Sequence, residues 1–527
     1  MGNALVKDIR AARREKELDL SKRDIKSLPK QIKRCKNLEN LNLSNNLLID
    51  LPIELGRLVQ LRTLNFSQNN VNYFPPWLPK SLVEIDAGSN RLFYSPMTPK
   101  IGELTNLVRL DLSGNQLEDI PAEIGNLKNV HTLQLHHNDL KDIPHCIYSL
   151  PVLSILNISY NNIKAITGDI SSMRALTEWN ISNNLLTMLP ENLGKLVTLV
   201  RLFVGHNALK TLPDSWQEIG SLTTDANLPK PGGDLIHLEE LDIEENHQLD
   251  DLPAIISRLR NMKKFNMRNT KLTRIPIGIK NWVNLTELVM KDNGQMEDLP
   301  EILGSLRSLR VLNCDSCSLR QLPDQIGGLT ALHHLDLRQN QLSSFAIPAT
   351  IKNLQHLVKL FLNNNSIEIL PDEICQLSSL TELDISHNLI ITLPDDIGDM
   401  KKLERLFANN NKLETIPPSI KSLRALTVFE VRSNAINLIP PEIGELNNLI
   451  RLDLSHNRLS DLPPAMHKMS QLQTLDLRDN PFDSPPQHII VAGVATILQY
   501  LADQFAKMPE GGASDASQKG RVRALHG

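Results

Sequence analysis

The residues with the clearest chemical spacing in this sequence are Cys314 and Cys317, which form a C-x-x-C pair. Cysteines at this spacing occur in zinc sites and in redox-active thiol sites. The alternative is that both are small, readily buried residues of a core. The sequence contains no P-loop, no H-E-x-x-H, no G-x-S-x-G and no protein-kinase signature. It therefore predicts no catalytic residue, no cofactor and no metal ligand, and an enzyme is the least favoured class.

A second chemical candidate is Gly2, because the chain starts Met1-Gly2-Asn3 as N-myristoylated proteins do. The myristoylation pattern has Ser or Thr at the sixth position, where this chain has Val6. Basic residues nearby could add an electrostatic attraction to a membrane surface. The other interpretation is an ordinary start followed by a helix.

The two cysteines lie within a repeat that recurs every 23 positions. Its frame is L-x-x-L-x-L-x-x-N-x-L-x-x-L-P, and its asparagine recurs at Asn115, Asn138, Asn161, Asn184 and Asn207. The frame continues at Asn340, Asn365, Asn388, Asn411, Asn434, Asn457 and Asn480. Period and signature are those of leucine-rich repeats, and about twenty copies cover residues 18–485.

The repeat predicts an α/β fold, a leucine-rich-repeat solenoid in the form of a horseshoe. The L-x-L segment is a short strand whose leucines point into the coil. Stacked coils form a parallel sheet on the concave face, and the I/L-P segments form an irregular or short-helical convex face. The repeated asparagine can bond the backbone where the chain leaves each strand. Cys314 falls on a leucine position of the frame and Cys317 on the asparagine position, which favours the structural interpretation of both.

The frame also identifies the side chains that should line the concave face. The position between the two strand leucines is usually Asp or Asn, but it is Phe203, Phe361 and Phe407 in three repeats. Exposed aromatic residues and arginines are typical of binding hot spots. From residue 338 onward the face carries the bases Arg338, Lys359, Arg405, Arg432, Arg451 and Arg478, and upstream it carries the acids Glu178, Glu240, Asp242, Glu244, Glu245, Glu287 and Asp292. This division could steer a partner, or the charges could pair across adjacent strands.

The first and last coils of the repeat array each need a capping element over their exposed apolar side chains. Residues 1–17 are predicted to form an N-terminal capping helix and residues 486–507 a C-terminal one. The tail, 508–527, is predicted to be disordered. An insertion near 214–237 is either a tolerated surface loop or a partner-binding loop.

Composition limits the class of protein further. The 527 residues carry a net charge of −4, which argues against binding nucleic acid through its phosphates. Five scattered cysteines and no signal-peptide pattern favour the cytoplasm, with at most a peripheral membrane association. No apolar run is long enough to span a bilayer.

The segments IPAEIGNL (120–127) and IPPEIGEL (439–446) resemble the repeats of the intracellular Ras-group leucine-rich-repeat family. The segments 9–29 and 480–501 are similar to the start and the terminal cap of such proteins. The resemblance implies a scaffold or adaptor in signalling that could engage a Ras-type small GTPase or a phosphatase subunit through the concave face. The alternative is a repeat protein that senses a ligand or a pathogen.

Overall fold

The computed structural model describes residues 2–94, 97–213, 235 and 237–507. The chain divides into two units, Met1–Leu285 and Thr286–Gly527. Each unit is a stack of coils, and each coil contributes one strand of three residues to a parallel sheet. The predicted tail and nearly all of the predicted insertion lie outside the described residues.

The first unit opens with helix α1, Gly2–Ala11, and strands β1 to β11 follow. The strands are β1 Glu17–Asp19, β2 Asn40–Asn42, β3 Thr63–Asn65, β4 Glu84–Asp86, β5 Arg109–Asp111, β6 Thr132–Gln134, β7 Ile155–Asn157, β8 Glu178–Asn180, β9 Arg201–Phe203, β10 Glu240–Asp242 and β11 Lys264–Asn266. Each strand pairs in parallel with the next along the chain.

The second unit contains strands β12 to β20, again with each strand parallel to the next. They are β12 Glu287–Val289, β13 Val311–Asn313, β14 His334–Asp336, β15 Lys359–Phe361, β16 Glu382–Asp384, β17 Arg405–Phe407, β18 Val428–Glu430, β19 Arg451–Asp453 and β20 Thr474–Asp476. Helices α2, Gln487–Ile490, and α3, Val494–Ala506, close the unit.

Opposite the strands, the coils carry short 3-10 helices, most of which begin just after the frame's proline. In the first unit they are Lys30–Arg34, Ile53–Arg57, Leu92–Tyr94, Pro99–Glu103, Ala122–Asn126, His145–Ser149, Gly168–Ser172, Glu191–Lys195, Ala254–Arg258 and Ile277–Asn281. In the second unit they are Glu301–Ser305, Asp324–Gly328, Ala349–Asn353, Asp372–Gln376, Ile397–Asp399, Pro418–Ser422, Pro441–Glu445 and Pro464–Lys468. Proline suits this side because it fixes φ and has no N–H to leave without a partner.

The frame's leucines build the core. In the strand Arg109–Asp111, Leu110 is fully buried, as is Leu112 just after it, while Asp111 between them is partly exposed. The same pattern recurs coil after coil. Stacking therefore removes each coil's aliphatic side chains from water, and this burial is the main term that stabilises the fold.

The repeated asparagine links each coil to its neighbour. The side-chain amide of Asn138 donates to Leu135 O at 2.9 Å and to Leu112 O of the preceding coil at 3.1 Å. Its Oδ1 accepts from Leu117 N at 2.9 Å and from Asn115 N at 3.1 Å. These bonds satisfy backbone groups that burial would otherwise leave without partners.

The two caps differ in extent from the predicted helices. Helix α1 ends at Ala11 rather than at residue 17, because the chain must extend to form β1, whose first residue is Glu17. The predicted helix over 486–507 is divided in two at Gly493, whose φ of +97° is incompatible with a continuous right-handed helix. Ile9 in the first cap and Ile497 in the second are buried against the adjoining coils.

Candidate protein-binding surface

The side chains between the buried leucines of the second unit form one row across the strands. We call this row the open strand face, together with the residues two positions before and two positions after it in each coil, such as Lys359 and Asn363 on either side of Phe361. Cross-strand register places Phe361 between Asp336 and Asp384, and Phe407 between Asp384 and Glu430. Neighbouring strands lie about 4.8 Å apart, so the two rings lie about 10 Å apart with one carboxylate between them. Both rings are partly exposed, as the frame predicted.

Phe361 is held by two neighbours. The guanidinium carbon of Arg338 lies 5.3 Å from the centre of its ring, and the His334 ring meets it edge-on with centroids 5.2 Å apart. Arg338 is itself fixed by Asp336, with Nε to Oδ1 at 2.8 Å, and this hydrogen bond raises the pKa of the guanidinium. Burial lowers the pKa of His334, which favours its neutral imidazole. The ring of Phe361 is thus oriented before any partner binds.

The other predicted bases are mostly paired with acids across the strands. Glu382 accepts from Arg405 at 2.6 Å and lies 3.5 Å from the Lys359 ammonium. Arg451 Nε lies 2.8 Å from Glu430. The alternative of pairing between adjacent strands therefore describes this region better than a uniformly basic surface.

Arg432 is the exception among the predicted bases. It is exposed, and within the described residues its guanidinium makes no ion pair. It lies on the rim of a concavity of about 580 Å³. The lining is Asn363, Asn364, Asp384, Ser386, His387, Phe407, Asn409, Asn410, Glu430, Arg432, Ser433, Arg451 and Asp453. The lining is mostly polar, whereas small-molecule pockets are mostly apolar, so the concavity suits polar side chains of a partner better than a buried substrate.

Two buried polar atoms of the open strand face have no hydrogen-bond partner in the described structure. They are Asn363 Oδ1 and Arg405 Nε. Buried polar groups without partners are uncommon in folded proteins, and a ligand or a partner can supply the missing bond. Asp384, between the two rings, accepts from Ser386 N at 2.9 Å, and burial raises its pKa.

Phe203 lies in the first unit and is therefore not part of this surface. Its register neighbours are Asn180 and Asp242. Burial, with smaller contributions from neighbouring carboxylates, raises the pKa of Asp242 to about 6.

The predicted acidic cluster is divided by the fold. Glu178, Glu240, Asp242, Glu244 and Glu245 belong to the first unit, whereas Glu287 and Asp292 belong to the second. Several of these acids have partners: Glu178 pairs with Arg201, and Glu244 lies 3.4 Å from His206.

The cysteine pair lies in the core. Cys314 and Cys317 are buried free thiols, and burial raises the pKa of Cys317 to about 12. Cys317 Sγ lies 3.3 Å from Met290 O of the preceding coil and so replaces part of the asparagine's bonding. Among the described residues no group of three His, Cys, Asp or Glu side chains is placed to hold a metal ion.

At the N-terminus, Gly2 is the first residue of α1, and its lipidation stays a prediction. None of the helices in the described ranges has the length and apolarity needed to cross a membrane.

Comparison with known families agrees with the fold. Residues 93–221, 300–387 and 324–415 match a leucine-rich repeat region, and residues 424–482 match a leucine rich repeat. The chain is therefore a leucine-rich-repeat protein. These matches identify leucine-rich repeats in general, and membership of the Ras-group subfamily stays a prediction. A search of curated proteins finds no match.

Solved structures with the same architecture come from several kinds of protein. A leucine-rich-repeat protein of Leptospira interrogans is 26% identical, with 93% of this chain and 96% of that chain covered and a TM-score of 0.56. The plant peptide hormone receptor RGFR1, in complex with RGF2, is 29% identical, with 88% and 78% covered and a TM-score of 0.64. Toll of Drosophila, in complex with Spatzle, is 20% identical, with 81% and 58% covered and a TM-score of 0.66. The last likeness concerns the fold alone.

Sequence reasoning did not identify Glu382, Asp384 and His334 as residues of this surface. Glu382 and Arg405 lie 23 positions apart, as do Asp384 and Phe407. One coil is 23 residues long, so residues 23 positions apart occupy equivalent positions of neighbouring coils. A comparison of such positions in the sequence would have placed each pair side by side.

Proposed function

We propose that this protein binds a partner protein through the open strand face of its second unit and catalyses no reaction. The observation that carries the proposal is the pair Phe361 and Phe407, two partly exposed rings held on short strands at a spacing that the register fixes. Preoriented aromatic side chains are the usual anchors of protein interfaces. The paired charges around them would supply specificity rather than bulk attraction.

The role we propose is that of a scaffold or adaptor in intracellular signalling, with a Ras-type small GTPase as the first candidate partner and a phosphatase subunit as the second. The family resemblance of the repeats supports this choice. Five buried free thiols fit the reducing cytoplasm that such a role requires.

A second candidate function is recognition of a peptide or protein ligand. The similarity to RGFR1, which is solved with RGF2, favours it. The concavity beside Phe407 could receive a ligand side chain, with Arg432 free to meet a carboxylate.

The test compares matched phenylalanine variants. We expect Phe361→Ala and Phe407→Ala each to weaken partner binding about tenfold or more, the loss typical of a hot-spot aromatic residue. Phe203→Ala is the control, because it removes the same side chain at the same repeat position in the first unit. Affinity purification with mass spectrometry would identify proteins lost from the Phe361 and Phe407 variants and retained by Phe203→Ala.

Titration with a purified Ras-type GTPase would then separate the two functions. Binding of the GTP-analogue form in preference to the GDP form supports the scaffold. Recovery of secreted or foreign peptides alone supports ligand recognition. Equal partner recovery by all three variants would overturn the assignment of this surface.

A further inference from the structure

The side of the second unit, between its strands and its 3-10 helices, carries a stripe of exposed apolar side chains. The stripe consists of Phe345, Ile369 and Ile391, which come from three consecutive coils and are 88%, 56% and 44% exposed. Ile391 N lies 3.4 Å from Glu368 O, which places Ile391 beside Glu368, the residue just before Ile369. Three exposed apolar residues in the same segment of consecutive coils differ from the isolated ones that any surface carries.

Phe345 is the least ordinary member of this stripe. Its φ is +67°, in the left-handed region that disfavours a bulky side chain. The other non-glycine residues of this unit with positive φ all precede the asparagine position of the frame, where the turn requires this conformation. Phe345 instead lies in a coil that is two residues longer than the usual 23, since Asn340 and Asn365 are 25 positions apart. A residue that is both strained and water-exposed indicates a function outside the stability of the fold.

Acidic side chains border the stripe. Glu368 is exposed next to Ile369. Asp372 and Glu373 begin the 3-10 helix of the same coil, and Asp395 and Asp396 come just before the 3-10 helix of the next coil. None of these five acids makes a salt bridge within the described residues. An apolar stripe beside uncompensated carboxylates complements a segment that carries apolar side chains next to lysines or arginines.

We propose that this stripe is a second docking surface, and that it binds a basic and apolar segment of a partner protein. It uses none of the residues of the open strand face, so the two surfaces could serve two partners at once. A scaffold needs two such surfaces, but the evidence for the stripe does not depend on the proposed function.

The probe is a short fluorescein-labelled peptide of alternating leucine and lysine, measured by anisotropy against the full chain. Its matched control is the same peptide with glutamate for lysine. We expect the lysine peptide to bind and the glutamate peptide not to bind. Phe345→Ser and Ile369→Thr should each weaken binding about tenfold, and the double variant Asp395→Asn/Asp396→Asn should weaken it and reduce its dependence on salt.

Two further variants keep the test specific. Ile277→Ser removes an apolar side chain that is 73% exposed in the first unit, and Phe407→Ala alters the open strand face. Both should bind the lysine peptide as the wild type does. Phe345→Ser should be no less stable than the wild type, because the side chain is already in water, and a thermal melt of the variant checks this before binding is compared.

Three results would overturn the proposal. The first is equal binding of the two peptides, and the second is equal loss in Ile277→Ser and Phe345→Ser. The third is binding that appears only after removal of residues 508–527, which would assign the stripe to this chain's own basic tail instead of a partner.

Discussion

Replacement of Asn138 by alanine tests whether the asparagine ladder joins the coils. Asn138 Oδ1 is the acceptor for two buried amides, Leu117 N at 2.9 Å and Asn115 N at 3.1 Å. Alanine leaves both amides without a partner. The three carbonyls that Asn138 bonds keep a second donor each, since Leu112 O also accepts from Asn115, Leu135 O from Asn161 and His136 O from Gly114 N.

The expected loss of stability follows from these two unpaired amides. A buried amide that loses its acceptor costs about 1–3 kcal/mol, so we expect Asn138→Ala to cost about 3 kcal/mol. The control is Asn129→Ala, which removes one exposed bond, to Thr105 O at 2.9 Å, and should cost no more than about 0.5 kcal/mol.

Hydrogen exchange is the suitable assay, because long repeat arrays do not unfold in a single two-state step. A loss of about 3 kcal/mol corresponds to a decrease of roughly 100-fold in protection of the amides in this coil and its neighbours. Equal protection in Asn138→Ala and Asn129→Ala would show that the ladder does not stabilise the stack.

Three further predictions concern stability. The pKa of Asp242 is about 6 in the fold and 3.8 ordinarily, so the stability that its protonation contributes is present below about pH 4 and is lost as pH rises through 6. Asp242→Asn should therefore raise stability at pH 8 by up to about 2 kcal/mol and have little effect at pH 4, measured by hydrogen exchange of the amides in this coil at both pH values. Gly444→Ala should lower the melting temperature, because a Cβ there would lie 2.2 Å from Ala465 O, whereas Gly294→Ala, with nothing within 4 Å, should not. Cys317→Asn restores the frame's asparagine and should stabilise the second unit by about 1 kcal/mol, measured by calorimetry; a destabilised variant would mean that the thiol fits this coil better than an amide.

The sequence predicted the parts of the structure that depend on the repeat. It placed the buried leucines, the asparagine ladder and the outward position of Phe361 and Phe407, because a fixed period fixes which face each residue meets. It did not predict where the caps end, since Ala11 and Gly493 stand outside the repeat and their conformation depends on the adjoining coils.

The binding surface was only partly predictable for a related reason. The bases were found one repeat at a time, but their charges are set by neighbours one coil away, as with Arg405 and Glu382. Phe345 was missed because it lies in an irregular coil, where the frame assigns no face. Its exposure and its positive φ appear only in three dimensions.

The most direct test of the central proposal is photo-crosslinking in cells with p-benzoylphenylalanine at position 407 and, in a separate chain, at position 203. If the second unit's strands hold the partner, position 407 gives a discrete crosslinked protein that position 203 does not. A crosslink from 203 alone, or the same diffuse products from both positions, would contradict the proposal.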